Sequence, residues 1–266
     1  MTVSSYLKNL GDNAIIRDLE KESISTSIAT IEHRLDSYFG DKIQDQFIFG
    51  SYTRNTILPR SMDTCSDIDY MIVFNDDGVT PQSYLDRLKR FVETWYSSSE
   101  RKQSHPTIKL NLNHITFELV PALKKIWNGY KIPARNYVGE DWMDTDPNDF
   151  NIDLIKKNKE HGSLIKPVIR LMKYWNAQNV YIYDSFKLEK WIIELDFSGL
   201  DLSHKPDLKK YFFQCIDELD IVYLTETNKY KVNRAKAIIT EVKKLEADEY
   251  PATAESKIKK LLPELS

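Results

Sequence analysis

Residues Ser66–Phe74 read Ser-Asp-Ile-Asp-Tyr-Met-Ile-Val-Phe and predict a β-strand over Ile68–Phe74 with two carboxylates at its beginning. Side chains alternate along a strand, so Asp67 and Asp69 are expected on one face while Ile68 points into the core. The two carboxylates would stand about 7 Å apart along that face, where they repel each other. A hard divalent cation relieves such repulsion, because magnesium prefers oxygen ligands. This stretch therefore predicts a metal site.

A third acidic residue, Glu118, lies between the apolar residues Phe117 and Leu119 in a second predicted strand, His114–Val120. A two-metal site needs a further carboxylate on a neighbouring strand, and Glu118 is the candidate. One metal would lower the pKa of an attacking hydroxyl, and the other would neutralise a triphosphate and its pyrophosphate leaving group. In the alternative interpretation, Asp67 caps a turn and Glu118 is an ordinary carboxylate on a strand surface.

A glycine-serine pair, Gly50-Ser51, follows the short predicted strand Gln46–Phe49 and opens a predicted helix. Glycine lets the backbone approach a phosphate closely, and the following amides and the serine hydroxyl can donate hydrogen bonds to it. Such a pair is common in turns. It becomes informative here because a strand with paired aspartates follows it.

Composition excludes several classes of protein. The chain has 266 residues, of which 41% are hydrophobic and 29% charged, as in ordinary globular proteins of one large domain or two lobes. The net charge of -3 argues against a protein that coats nucleic acid, so no stable nucleic-acid partner is predicted. No apolar run reaches the roughly 20 residues that cross a bilayer, and the N-terminus lacks a secretory pattern. Cys65 and Cys215 have no metal-ligand spacing, which predicts reduced thiols in a cytoplasmic protein without zinc.

Apolar spacing predicts an α+β lobe followed by a helical lobe. One long helix is predicted over about Asp12–Phe39, with a break near Ser23, and another over Pro81–Tyr96; Thr107–Leu112 is a further strand. The predicted domains are residues 1–146, the catalytic lobe, and residues 147–266, a helical lobe, with the active site in the cleft between them. The helices predicted for the second lobe are Leu164–Asn176, Ser185–Leu195, Asp207–Leu219, Ala235–Leu245 and Ala254–Leu262.

A basic stripe marks the first of these helices. Lys166, Arg170 and Lys173 fall at i, i+4 and i+7, on one face, while the apolar residues of the helix fall on the opposite face. We predict that Lys173 and Arg170 bind phosphate across the cleft. The alternative is a solvated helix face.

These motifs resemble the polymerase-β-like nucleotidyltransferase superfamily. The likeness is greatest to its branch of oligoadenylate synthetases, cyclic GMP-AMP synthases and the bacterial CD-NTases of antiphage signalling. In that branch Gly-Ser is followed by a threonine five positions after the serine, as in Gly50–Thr56, and the acidic strands resemble Ser66–Phe74 and Phe117–Ala122. Ile165–Asn176 resembles the helix whose lysine binds the triphosphate. Ser185–Glu189 resembles the next helix start, where a polar and an aromatic residue face the nucleotide.

The resemblance spans roughly residues 12–195, with Trp142–Pro147 similar to the segment that crosses between lobes. It implies a fold with a small mixed sheet and helices plus a C-terminal helical lobe. It implies two Mg²⁺ or Mn²⁺ ions, nucleoside triphosphates as substrates (ATP or dATP above all) and a downstream effector that senses the product. The implied catalytic and metal-binding residues are Asp67, Asp69 and Glu118, and the implied nucleotide-binding residues are Gly50, Ser51, Thr56, Arg170, Lys173, Ser185 and Phe186.

Some positions leave alternatives open. Glu118 stands where many relatives have aspartate, and Asn55 stands where the family has a glycine before the threonine. Ser185 could equally be a helix N-cap. Tyr52 and Phe186 could stack on a base, although such residues more often belong to a core.

The resulting functional hypothesis is a template-independent synthase of a short cyclic or linear oligonucleotide messenger in bacterial antiphage defence. Because the chain is short for this branch, cyclisation is not assured. One alternative keeps the chemistry but transfers the nucleotide to tRNA or to a protein, as a toxin would. The other alternative is an inactive nucleotide-binding homologue.

Overall fold

The computed structural model describes residues 2–75, 78–97, 100–104 (backbone only), 107–134, 142–147, 149–200 and 207–265. Contacts between residues divide the chain into two compact units. The sheet unit comprises Ile16–Ile57 and Cys65–Asn151, and the helical unit comprises Met1–Ile15, Leu58–Thr64 and Ile152–Ser266. Within the described residues, no helix is both long and apolar enough to span a membrane.

The sheet unit is built on a mixed seven-stranded sheet in the order β1-β2-β5-β4-β3, to which β6 adds beside β5 and β7 beside β6. The pair β2/β5 is parallel, and the other pairs are antiparallel. The strands are β1 (Ile43–Phe49), β2 (Asp67–Phe74), β3 (Glu100–Ser104), β4 (Thr107–Asn111), β5 (Thr116–Lys124), β6 (Tyr130–Pro133) and β7 (Trp142–Thr145).

Alternation along β2 separates two apolar layers. Ile68, Tyr70, Ile72 and Phe74 enter the larger core on the face covered by helices. Met71 and Val73 point to the opposite face, where they pack in a smaller cluster with Ala122 and half-buried aromatic residues. A slip of one residue would bring Asp67 and Asp69 to the face of the larger core, so the two aspartates fix the register of β2. The even-odd pattern also places Asp67 and Asp69 on the same face as Met71 and Val73.

The helices lie before, between and after the strands. A 3₁₀ turn, Gly40–Lys42, leads into β1, and the turn after β4 closes with a hydrogen bond from the Leu112 amide to the Ile115 carbonyl. The helices are α1 (Val3–Asn13), α2 (Asp18–Phe39), α3 (Gly50–Thr53), α4 (Pro81–Trp95), α5 (Asp149–Glu160), α6 (Ile165–Gln178), α7 (Ser185–Glu194), α8 (Leu208–Glu218), α9 (Glu226–Ala247) and α10 (Pro251–Ile258).

The prediction of one N-terminal helix over Asp12–Phe39 with a break near Ser23 is wrong. The chain forms α1 and α2 instead, and α2 continues through Ser23, whose hydroxyl donates to the Leu19 carbonyl. The break lies at residues 14–17, where Ala14 and Ile16 are buried and the residues between and after them are exposed. Alternating burial is typical of an extended linker.

The two compact units differ from the predicted domains, which were divided between residues 146 and 147. Helix α1 packs against α6, α8 and α10, and the Tyr6 hydroxyl donates to the Leu262 carbonyl at 2.6 Å, so the N-terminal segment belongs to the helical unit. Trp142–Thr145 is strand β7 of the sheet, and the chain passes into the helical unit within α5. Strands β3, β6 and β7 and helix α5 were not predicted, because their residues are mostly polar or interrupted by proline and glycine.

Candidate active site

Strand register brings the three predicted catalytic carboxylates together. Parallel pairing of β2 with β5 places Asp69 directly opposite Glu118, and Asp67 lies two residues earlier on the same face as Asp69. Adjacent strands are about 4.8 Å apart, so side chains paired in register on one face lie in contact range. Asp67 also forms a hydrogen bond with Glu118. Asp67, Asp69 and Glu118, hereafter the carboxylate cluster, therefore converge as the sequence predicted.

The negative charges of the cluster repel one another. Burial, followed by the negative charges of Asp69 and Glu118, raises the pKa of Asp67 to about 8. Two carboxyl groups can share a hydrogen bond only if one of them carries a proton, and the raised pKa supplies that proton at neutral pH. The predicted alternative, in which Asp67 merely caps a turn, does not explain this arrangement, because Asp67 is already the first residue of β2.

A basic residue that the sequence did not single out completes the cluster. Lys109 on β4 pairs with Glu118 in the antiparallel register, and its ammonium group forms an ion pair with the Glu118 carboxylate. Burial lowers the pKa of Lys109, but the hydrogen bond and charge of Glu118 and the charge of Asp67 outweigh it and leave the pKa raised. Only the strand pairing shows which carboxylate Lys109 meets.

The carboxylate cluster fits a hard divalent cation by its chemistry. Three oxygen donors that otherwise repel one another are the ligand type that magnesium and manganese take. Among the described residues, however, no three His, Cys, Asp or Glu side chains stand as a ready-made metal cage. Glu118 is instead engaged by Lys109 and Asp67. Metal binding by these residues therefore stays a prediction.

Gly50 is required beside the cluster for two reasons. Its φ of +75° lies in the left-handed region, which residues with a side chain adopt only with strain. In addition, a Cβ atom added to Gly50 would lie 1.9 Å from Oδ2 of Asp69. The backbone at the end of β1 thus lies directly against the Asp69 carboxylate, so the predicted glycine position and the aspartate pair belong to one site.

The loop after Gly50 is held by its own backbone. The Ser51 carbonyl accepts hydrogen bonds from the amides of Thr56 (3.0 Å) and Ile57 (3.1 Å) and from the Thr56 hydroxyl (3.4 Å). Thr56 is fully buried, so the structure places it as a brace for the loop and not at the surface where a nucleotide would bind. Asn55 has a φ of +57°, a conformation that asparagine tolerates better than most residues, and this explains how it replaces the family glycine.

Lys173 and Arg170 lie in the helical unit, on α6. Both are buried, and the ammonium group of Lys173 lies 3.3 Å from the carboxylate of Glu189, which is fully buried. Burial lowers the pKa of Arg170 to about 10, so its charge persists at neutral pH. The alternative of a solvated basic face is therefore wrong for these two residues, and their binding of phosphate stays a prediction.

The start of helix α7 shows whether Ser185 is the helix N-cap. Asp184 is its N-cap, and the Asp184 carboxylate accepts from the Lys187 amide at 2.9 Å. Ser185 is consequently the first helical residue and not the cap. The side chain of Phe186 is about half exposed, whereas Tyr52 packs partly against the core of the sheet unit. Stacking on a base thus stays a prediction for Phe186, and the core role is favoured for Tyr52.

Comparison with known proteins identifies the family. A sequence model of the Second Messenger Oligonucleotide or Dinucleotide Synthetase domain (SMODS) matches residues 1–158. The chain belongs to this family. The match covers the carboxylate cluster and the Gly50-Ser51 pair, and it confirms the resemblance to CD-NTases that the motifs predicted.

The chain is also similar to curated relatives and, in fold, to solved structures. The cyclic AMP-AMP-AMP synthase of Acinetobacter sp. is 25% identical over 142 residues, which are 50% of this chain and 40% of that protein. The chain spans about half or less of the length of the curated relatives it matches. The apo structure of Vibrio cholerae DncV has a TM-score of 0.78 at 11% identity, covering 99% of this chain and 96% of DncV. The GTP complex of the Bradyrhizobium diazoefficiens CD-NTase CdnG has a TM-score of 0.69 at 10% identity, covering 97% and 98%. The predicted fold class is confirmed.

We expect Gly50→Ala to destabilise the protein more than Gly40→Ala. Both glycines have positive φ, but a Cβ atom at Gly40 meets nothing within 4 Å. The shared backbone strain costs about 1–3 kcal/mol, and the overlap with Asp69 adds about 1 kcal/mol or more. Urea unfolding of the two variants measures the difference. Equal losses would show that the close approach to Asp69 is unimportant.

The raised pKa of Asp67 predicts a pH dependence of stability in the metal-free protein. The folded protein holds this proton more tightly than the unfolded chain, in which the pKa is about 3.9. Asp67 therefore contributes stability that is present below about pH 4 and lost as the pH rises through about 8. Relative to Asp67→Asn, the free energy of unfolding should fall with pH by at most about 1.4 kcal/mol per unit. Urea unfolding with a chelator tests this, and a difference that is constant with pH would contradict it.

Lys173→Met should cost about 3–5 kcal/mol of stability, because it leaves the buried carboxylate of Glu189 without this ion pair. The matched control is Lys190→Met on α7. The side chains of Lys190 and its partner Glu194 are 60% and 64% exposed and 4.0 Å apart, so this loss should stay within about 1 kcal/mol. Thermal or urea unfolding measures both variants. A loss at Lys173 no larger than at Lys190 would refute a stabilising role for the buried pair.

Proposed function

We propose that this protein is a metal-dependent nucleotidyltransferase that joins nucleoside triphosphates, without a template, into a short cyclic or linear oligonucleotide messenger. The observation that carries the proposal is the in-register convergence of Asp67, Asp69 and Glu118 beside Gly50. Membership in the SMODS family supports the reaction class. The name of the Acinetobacter relative, a cyclic AMP-AMP-AMP synthase, supports ATP among the substrates.

In the proposed reaction, a ribose hydroxyl oxygen attacks the α-phosphorus of a second nucleotide. A P–O bond forms, the bond to pyrophosphate breaks, and the hydroxyl loses its proton to solvent water. Bound divalent cations, two Mg²⁺ or Mn²⁺ ions, would supply the activation of the hydroxyl and the neutralisation of the triphosphate. Asp67 and Asp69 would hold them from one strand and Glu118 from the next. The sheet fixes the backbone positions of these three residues before substrate arrives, which limits the reorganisation needed in the transition state.

The remaining predicted residues would bind and orient the nucleotide. The backbone at Gly50-Ser51 would contact phosphate, with Thr56 bracing the loop from inside. Lys173 and Arg170 would contribute positive charge toward the triphosphate, and Ser185 and Phe186 would contact the sugar or base. The messenger would act on a downstream effector protein in a bacterial antiphage pathway.

The proposal predicts the loss of product in a variant that lacks two of the three carboxylates. Asp67→Asn/Asp69→Asn should lower the rate at least about 100-fold, because the metals contribute several kcal/mol of transition-state stabilisation and each 1.4 kcal/mol is tenfold. Labelled nucleoside triphosphates with Mg²⁺ or Mn²⁺, followed by mass spectrometry of small products, provide the measurement. Asp144→Asn is the matched control, because Asp144 lies on the same sheet with its side chain 64% exposed.

Three outcomes separate the hypotheses. A new small oligonucleotide together with pyrophosphate, lost only in the double variant, supports the synthase. Label in tRNA or protein would instead select the macromolecule-modifying alternative. Nucleotide binding that is unaffected by the double variant, without any turnover, would select an inactive homologue.

A further inference from the structure

The ion pair between Lys109 and Glu118 lies at the edge of the carboxylate cluster. The two residues face each other across β4 and β5, and their side chains are 35% and 14% exposed. Glu118 is at the same time the register partner of Asp69. One carboxylate is thus shared between a resident ammonium group and the position where the proposed function needs a metal ligand.

An ammonium group and a divalent cation bind the same lone pairs of a carboxylate. While Lys109 is bonded to Glu118, it neutralises part of the charge that three gathered carboxylates carry. The ion pair lowers the repulsion among the three carboxylates when no cation is bound. It also engages Glu118, the third of the proposed metal ligands. A cation that enters the cluster must therefore share Glu118 with Lys109 or displace it.

We propose that Lys109 is a positioning residue that competes with the metal for Glu118 and so sets the metal concentration at which the site fills. The inference rests on the proposed function, because it assumes that the carboxylate cluster binds the metal. Removing the ammonium group should tighten metal binding and weaken the metal-free fold. A lysine that merely stabilised the sheet would weaken the fold without tightening metal binding through Glu118.

The test is direct measurement of Mn²⁺ binding without nucleotide, by the electron paramagnetic resonance signal of free Mn²⁺. Lys109→Met should lower the dissociation constant for Mn²⁺ about 1.4- to fivefold, the range that partly exposed ion pairs contribute. Its metal-free melting temperature should fall by about 2–4 °C, and saturating Mn²⁺ should restore most of this loss. Lys109→Arg keeps the charge and should bind Mn²⁺ like the unmodified protein. Lys109→Gln replaces Lys109→Met if the latter fails to fold.

A double-variant cycle with Glu118→Gln separates competition from a general effect of charge. Competition acts through Glu118, so the gain from Lys109→Met should disappear in the Glu118→Gln background. The matched control is Lys125→Met, which removes the ion pair of Lys125 with Asp144 on the same sheet and should leave Mn²⁺ affinity unchanged. Equal or weaker binding by Lys109→Met, or a gain that persists in the Glu118→Gln background, would overturn the inference.

The failure of this inference can be told apart from the failure of the proposed function. If Mn²⁺ binding depends on Asp67 and Asp69 but does not change in Lys109→Met, only the role of Lys109 is refuted. If the unmodified protein and Asp67→Asn/Asp69→Asn bind Mn²⁺ equally, the metal assignment of the cluster fails, and both proposals fall with it.

Discussion

The repulsion among three carboxylates on one sheet face is the constraint on which the site depends. Parallel pairing of β2 with β5 holds Asp69 and Glu118 side by side, because a shift of β2 by one residue would turn Ile68 out of the core. The apolar packing of the strands therefore holds the acidic side chains together against their charge. A proton on Asp67, whose pKa is raised to about 8 by burial and the neighbouring carboxylates, and the ammonium group of Lys109 offset that charge.

The neighbouring backbone is adapted to the same constraint. Gly50 leaves room for the Asp69 carboxylate where any side chain would overlap it, and the loop that follows is fixed by three hydrogen bonds to the Ser51 carbonyl. Asn55 shows that the loop keeps its left-handed residue although the glycine of the family is absent. The loop that begins at Gly50 therefore leaves space for the Asp69 carboxylate of β2 and keeps its backbone beside it.

The sequence alone predicted those positions in the site that follow from the alternation of side chains along a strand. Alternation placed Asp67 and Asp69 on one face, and the motif order identified Glu118 as the third acidic residue. Lys109 could not be assigned in this way, because its partner depends on strand register, which short motifs do not specify. The N-terminal helices were misjudged for a related reason. Ile15 and Leu19 fit a helical period yet are exposed, so apolar spacing alone did not reveal the linker at residues 14–17.

The helical unit shows how burial changes the meaning of a charge pattern. Lys166, Arg170 and Lys173 share a helix face by spacing, but the latter two are buried, and Lys173 is paired with Glu189. Charged groups buried this deeply are kept only where they are paired or functional. The spacing predicted the shared face correctly, whereas the partner of Lys173 could be seen only in the fold.

The most direct test of the central claim is a crystal structure with Mn²⁺ and a non-hydrolysable ATP analogue, with the ions located by anomalous scattering. The account predicts anomalous peaks within about 2.0–2.3 Å of carboxylate oxygens of Asp67, Asp69 and Glu118. Peaks that contact only the nucleotide, with Glu118 still bound to Lys109 and Asp67, would contradict it.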